Sequence, residues 1–158
     1  GEEKVNLTQN FTLSEMTKSE TALRFGMAND PTETEIENMR VLCEKVLQPV
    51  RNYYGMGVKV NSGFRHPLVN AKVGGSATSD HCKGMAADIE IPSIANADLA
   101  QWIKDNCEFK QLILEFYTPG VPDSGWVHVS YDPNNLKQEV LTATKQNGKT
   151  VYLQGLVA

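Results

Sequence analysis

Apolar and polar positions fall into patterns that change character along the chain. Between residues 33 and 54 the apolar residues Ile36, Met39, Leu42, Cys43, Val46 and Leu47 recur at helical steps, the stripe of an amphipathic helix. Asp30-Pro31-Thr32 gives it a start signal, and Pro49 interrupts or kinks it near its end because proline brings no N–H to the ladder. Thr12-Leu13-Ser14-Glu15-Met16 reads as a short capped helix, and residues 96–107 as another, capped by Asn96 or Asp98. Elsewhere the runs are short and alternate or are wholly apolar. Residues 58–62, 88–91, 112–116 and 126–130 therefore read as strands. The end, residues 139–156, reads as a hairpin turned at Gln146-Asn147-Gly148-Lys149, since Asn-Gly accepts the backbone angles of a tight turn. With helices early and strands late, the pattern predicts an α+β fold: a mainly antiparallel sheet with the N-terminal helices packed on one side.

Composition adds limits. A chain of 158 residues with 41% apolar content is long enough for one domain, residues 1–158, with its own core, and residues 1–9 are expected to be a flexible N-terminal segment. A net charge of -4 argues against a nucleic-acid partner, which calls for a basic face. No apolar run approaches the roughly 20 residues of a bilayer span, so membrane insertion is not expected. The start GEEKVN is polar and acidic, with no visible signal peptide, and the sequence leaves any native export signal open. Cys43, Cys82 and Cys107 are odd in number and scattered, the usage of free thiols; Cys43 falls on the helical stripe and belongs in the core.

Candidate chemistry centres on two of the three histidines. His81 and Asp88 stand seven apart in Ser79-Asp80-His81-Cys82-Lys83-Gly84-Met85-Ala86-Ala87-Asp88. On a continuous helix they would lie about 10 Å apart along the axis, too far for donors that must each sit about 2 Å from one ion. Gly84 removes the difficulty by letting the chain turn, so that Asp88 can open a strand beside His81. His128 can arrive from a neighbouring strand, and two imidazoles with a carboxylate leave a fourth zinc position open, as catalytic sites do. Cys82 is a competing soft ligand, although its neighbour His81 would leave it pointing elsewhere.

Ser62-Gly63-Phe64-Arg65-His66-Pro67, Val69-Asn70, Val73-Gly74-Gly75, Ser79 through Asp88 and Trp126-Val127-His128-Val129-Ser130 together resemble the M15 family of zinc peptidases. The likeness is greatest to its small D-Ala-D-Ala carboxypeptidase-like branch of phage and bacterial cell-wall hydrolases, and it runs from about Asn10 to Leu141. The resemblance implies a fold like that of the DD-peptidases and Hedgehog domains, with zinc on His81, Asp88 and His128. It also implies Arg65 as the group that grips a substrate carboxylate or carbonyl, where a guanidinium fork suits a bidentate contact. Ser79 would hydrogen-bond substrate near the metal, or serve only as a local turn cap. The implied substrate is a peptidoglycan stem peptide, cut at D-Ala-D-Ala by a carboxypeptidase or at an internal bond by an endopeptidase. A monomer is expected, working on the cell wall as a phage lysin released from the cytoplasm or as an exported bacterial enzyme.

The sequence departs from the family pattern at the general base. Many relatives carry an acid three positions before the last histidine, where this chain has Gly125. Glu115, a lone acid in the apolar run of residues 112–116, is favoured for the role over Asp123, which lies in a Pro- and Gly-rich loop. If the two late strands pair, Glu115 and His128 can share one face. The rival reading is a zinc-stabilised binding module of Hedgehog-like fold without catalysis.

Overall fold

A computed structural model describes residues 5–157. The chain opens with a two-stranded ribbon, β1 (Asn6–Thr8) and β2 (Phe11–Thr12). Leu7 and Phe11 are buried in the core, which corrects the expectation of a flexible segment over residues 6–8: an apolar anchor and a paired ladder hold them. Residues 1–4 of that expected segment lie outside the described residues.

Three helices follow, α1 (Leu13–Thr17), α2 (Glu20–Arg24) and α3 (Glu33–Leu42). Thr12 and Thr32 cap α1 and α3 through reciprocal bonds with Glu15 and Glu35, satisfying N–H groups that a helix start leaves free. The helix begun by α3 continues through Pro49. A wide π turn at Cys43–Leu47, closed by Gln48 N–H on the Cys43 carbonyl, leads directly into α4 (Gln48–Tyr54). Proline can occupy the first turn of α4, where its missing N–H costs least, so it reshapes the helix without ending it.

The main sheet contains β3 (Lys59–Ser62), β4 (Ala86–Glu90), β5 (Gln111–Glu115), β6 (Trp126–Ser130), β7 (Glu139–Gln146) and β8 (Lys149–Gln154). Their order is β3-β4-β6-β5-β7-β8, antiparallel throughout except for β5 beside β7. The Asn147-Gly148 turn joins β7 to β8 with both residues at positive φ, 52° and 77°. Helix α5 (Pro67–Lys72) follows β3, and α6 (Asn96–Asn106) follows β4. The residue capping α6 is Ala95, which makes no side-chain bond, rather than Asn96 or Asp98. Asn96 is buried instead, its amide donating to Glu90 and to the carbonyls of Ser124 and Gly125.

Alternation along the strands divides the sheet into two faces. Ala87, Ile89, Leu112, Leu114, Val127 and Val129 point to one side, where Met39, Leu42, Val46 and Val50 from the early helices and Leu99 and Ile103 from α6 complete the core. The expected α+β layering is present, with α6 added to the helical layer. The intervening residues, Asp88, Ile113, Glu115, Trp126 and His128, point to the opposite side.

Cys43 sits within that core as a free thiol, and burial pushes its titration from 9.0 up to about 12. The folded chain therefore keeps a proton that the unfolded chain releases. Stability from this group is complete below pH 9 and declines by about 1.4 kcal/mol per pH unit from there towards pH 12. Between pH 8 and pH 10.5, urea unfolding should show the parent losing about 2 kcal/mol more than Cys43→Ala.

Candidate metal centre

The chain turns sharply to bring its donors together. Ser79 caps a 3₁₀ turn, Asp80–Lys83, by accepting the His81 N–H on its Oγ at 3.2 Å. The turn ends at Gly84 with φ +72°, and the chain then enters β4. A Cβ on Gly84 would also lie 2.5 Å from the Glu35 carbonyl oxygen of α3, so both backbone angle and space demand glycine. Two residues into β4, Asp88 stands directly opposite His128 of β6.

Asp88 holds both imidazoles: Oδ1 is 2.9 Å from His128 Nδ1, and Oδ2 is 3.4 Å from His81 Nε2. The other nitrogen of His81, Nδ1, lies 2.7 Å from the Gly63 carbonyl. A carbonyl only accepts, so Nδ1 carries the proton and the Nε2 lone pair faces the carboxylate. Two acceptors confronting each other in a buried place call for a cation or a proton between them. Gly63 reaches His81 because its loop presses on α1, where the Phe64 N–H donates to the Met16 carbonyl at 2.7 Å. A Cβ on Gly63 would stand 2.3 Å from that same oxygen.

One donor atom from each of His81, Asp88 and His128 lies within 4.8 Å of the others, so the trio could hold a metal ion. Zinc bonds of 2.0–2.2 Å arranged tetrahedrally put donors roughly 3.3–3.5 Å apart, inside the 4.8 Å that spans one donor atom from each residue. The donor set and spacing fit zinc, and the outward bond of His81 to Gly63 is the support that metal-bound histidines usually have. Without an ion the trio shares its charge. Burial alone would raise the Asp88 carboxyl, but the hydrogen bond from His128 and the neighbouring His81 hold it well below the usual carboxylate range. Burial alone would lower His128, and the bond to Asp88 with the charges of Asp88, Glu115 and Asp80 lifts it above its ordinary value. Cys82 is outside the donor group.

A cleft of about 420 Å³ opens over the trio, and Arg65, Ser79 and Glu115 line it as well. Arg65 is anchored by its N–H on the His81 carbonyl at 3.1 Å. Its Nε is buried without a partner, and among the described residues it forms no ion pair. Ser79 is the turn cap, with its hydroxyl on the cleft wall. Glu115 is half-buried on the His128 face, because β5 pairs with β6 in the register Ile113 to His128 and Glu115 to Trp126. Burial raises its carboxyl and the Asp88 charge raises it further, with His128, Trp126 and Arg65 pulling the other way. Asp123 lies elsewhere, on a separate cavity of about 630 Å³ with Lys59 and Glu90.

Gly125 has a plain physical reason. Its φ is +65°, and a Cβ there would lie 1.9 Å from the Glu115 carbonyl oxygen, so no acidic side chain fits. Other lining groups have no role legible in the sequence. Asp80, inside the Ser79-to-Asp88 motif but given no role there, is held by Lys110 at 2.9 Å across 30 positions, and Tyr152 reaches the cleft from the last strand, outside any motif.

A family model described as Peptidase M15 matches residues 9–130, most of the chain and all three donors. No curated protein matches the sequence.

Metal-free protein titrated with zinc should gain about 2.7 kcal/mol of unfolding free energy at zinc 100-fold above its dissociation constant. His128→Ala and Asp88→Asn should lose that gain in the same denaturant titration. Gly84→Ala should cost about 2 kcal/mol before any metal is added, measured as a fall in the denaturation midpoint.

Proposed function

Since the chain belongs to the Peptidase M15 family, we propose that it is a zinc-dependent hydrolase of peptidoglycan stem peptides. The observation that carries this reading is the convergence of a two-histidine, one-aspartate donor set, an unpaired guanidinium and a raised carboxyl on one cleft. His81, Asp88 and His128 would hold the ion, which when bound supplies a polarised scissile carbonyl and a more acidic water. Glu115 then acts at a carboxylate oxygen, taking a proton from the attacking water and returning it to the leaving amine nitrogen. Its raised affinity for protons suits both halves of that role. Arg65 binds the carboxylate or carbonyl of the residue beyond the scissile bond through the end of its guanidinium, which forms no ion pair among the described residues. The Ser79 hydroxyl can donate to substrate while its lone pair continues to cap the His81 N–H. A zinc-stabilised binding module would leave both Glu115 and the free guanidinium without a task.

Digestion of purified peptidoglycan followed by mass spectrometry of the muropeptides should show one class of peptide bond cut, D-Ala-D-Ala or an internal bond. Intact muropeptides from fully zinc-loaded protein would overturn the assignment. Glu115→Gln should lower kcat by about 10²–10⁴-fold at unchanged zinc content. Arg65→Ala should mainly raise KM, and a full-rate Glu115→Gln enzyme would move the base elsewhere.

A further inference from the structure

The cleft runs on past the donors to Tyr152, its one lining residue beyond the family match. Successive strand pairings set Trp126 of β6, Glu115 of β5, Ala143 of β7 and Tyr152 of β8 in one row on the cleft face. Tyr152 ends the row with 55% of its surface exposed, and it lines the same cleft as Glu115 and His128. The floor before it is apolar. Ile113, Leu141 and Ala143 form a small cluster of their own on this face, separate from the main core. Phe116 packs against that cluster, its φ of +55° turning the chain where β5 ends and its N–H tied to the Ala143 carbonyl at 2.9 Å. The Phe116 ring also lies 5.5 Å from that of Trp126, so this end of the cleft has an aromatic buttress already in place.

Between two large side chains, Glu115 and Tyr152, the row carries only the methyl of Ala143. Two strand spacings separate them, roughly 10 Å, the length of about three residues of extended peptide. Arg65 is on the other side of the donors, beside β3 and the His81 carbonyl. If Arg65 takes the C-terminal side of the substrate, the Tyr152 side must take the N-terminal side.

We infer that Tyr152 is a specificity-determining residue, its ring and the Ile113 floor receiving the methylene stem of the diamino acid two positions before the scissile bond. The inference rests on the peptidase reading above. It makes this enzyme one for extended stem peptides, since a dipeptide places a single residue on each side of the scissile bond and stops short of Tyr152.

The test uses zinc-loaded protein in a Glu115→Gln background, so that turnover does not consume the ligand. Calorimetry would compare a free stem pentapeptide ending in D-Ala-D-Ala with the D-Ala-D-Ala dipeptide alone. Tyr152→Ala should weaken the pentapeptide about tenfold and leave the dipeptide unchanged, while Tyr152→Phe keeps the parent affinity for both. Zinc content and circular dichroism check that the variants are folded. Equal affinity of parent and Tyr152→Ala for the pentapeptide, or equal weakening of both peptides, overturns the inference alone. A parent that binds neither peptide overturns the peptidase reading and this inference with it.

Discussion

Everything at the candidate centre depends on the register between β4 and β6, in which Asp88 faces His128. Side chains alternate across a strand, so a slip of one residue would send Asp88 into the helical core and bring Ile89 to the cleft. The core itself forbids that slip, because Ala87, Ile89, Val127 and Val129 are fully buried on the far side. Hydrophobic burial on one face thus sets the geometry of charged groups on the other. The turn at Gly84 and the Gly63 carbonyl add the third donor by fixing where His81 lies and which of its nitrogens is free.

Much of this was legible in the sequence because it rests on local rules. The helical stripe of residues 33–54, the caps at Thr12 and Thr32 and the Asn-Gly turn all act over a few residues, and each stands where the pattern put it. Gly84 was readable for the same reason: no other route joins His81 to a strand that begins so soon. The failures came from tertiary context. Leu7 reads as part of a polar tail, yet it is buried under contacts with distant residues. Asn96 looks like a helix cap and instead lies beneath the loop before β6, a role visible only once Ser124 and Gly125 are folded over it. Pro49 suggested a break, but the π turn before it accommodates the ring.

The acid shows both sides of the matter. Position 125 carries glycine because the backbone of Glu115 and Phe116 occupies the space that a side chain would need. Glu115, isolated among apolar residues of the adjacent strand, brings a carboxyl to the cleft beside those of Asp80 and Asp88. Its polarity is tolerated because the strand places it at the wet face, near His128 and Arg65, while its neighbours Leu112 and Leu114 go into the core.

The single parallel pairing, β5 beside β7, has a consequence in time. A parallel neighbour cannot be reached by a tight turn, so the chain leaving β6 must pass β5 before β7 can dock. The β7–β8 hairpin can form on its own schedule, but it joins the sheet only when β5 already has β6 on its other edge. Asp88 and His128, meanwhile, close a span of 40 positions, an entropic cost of about 3 kcal/mol that precedes any reward from their contact. The donor trio is thus a long-range closure that exists only when β4 and β6 are paired. An ion held by contacts that the folding transition state lacks would slow unfolding far more than it hastens folding.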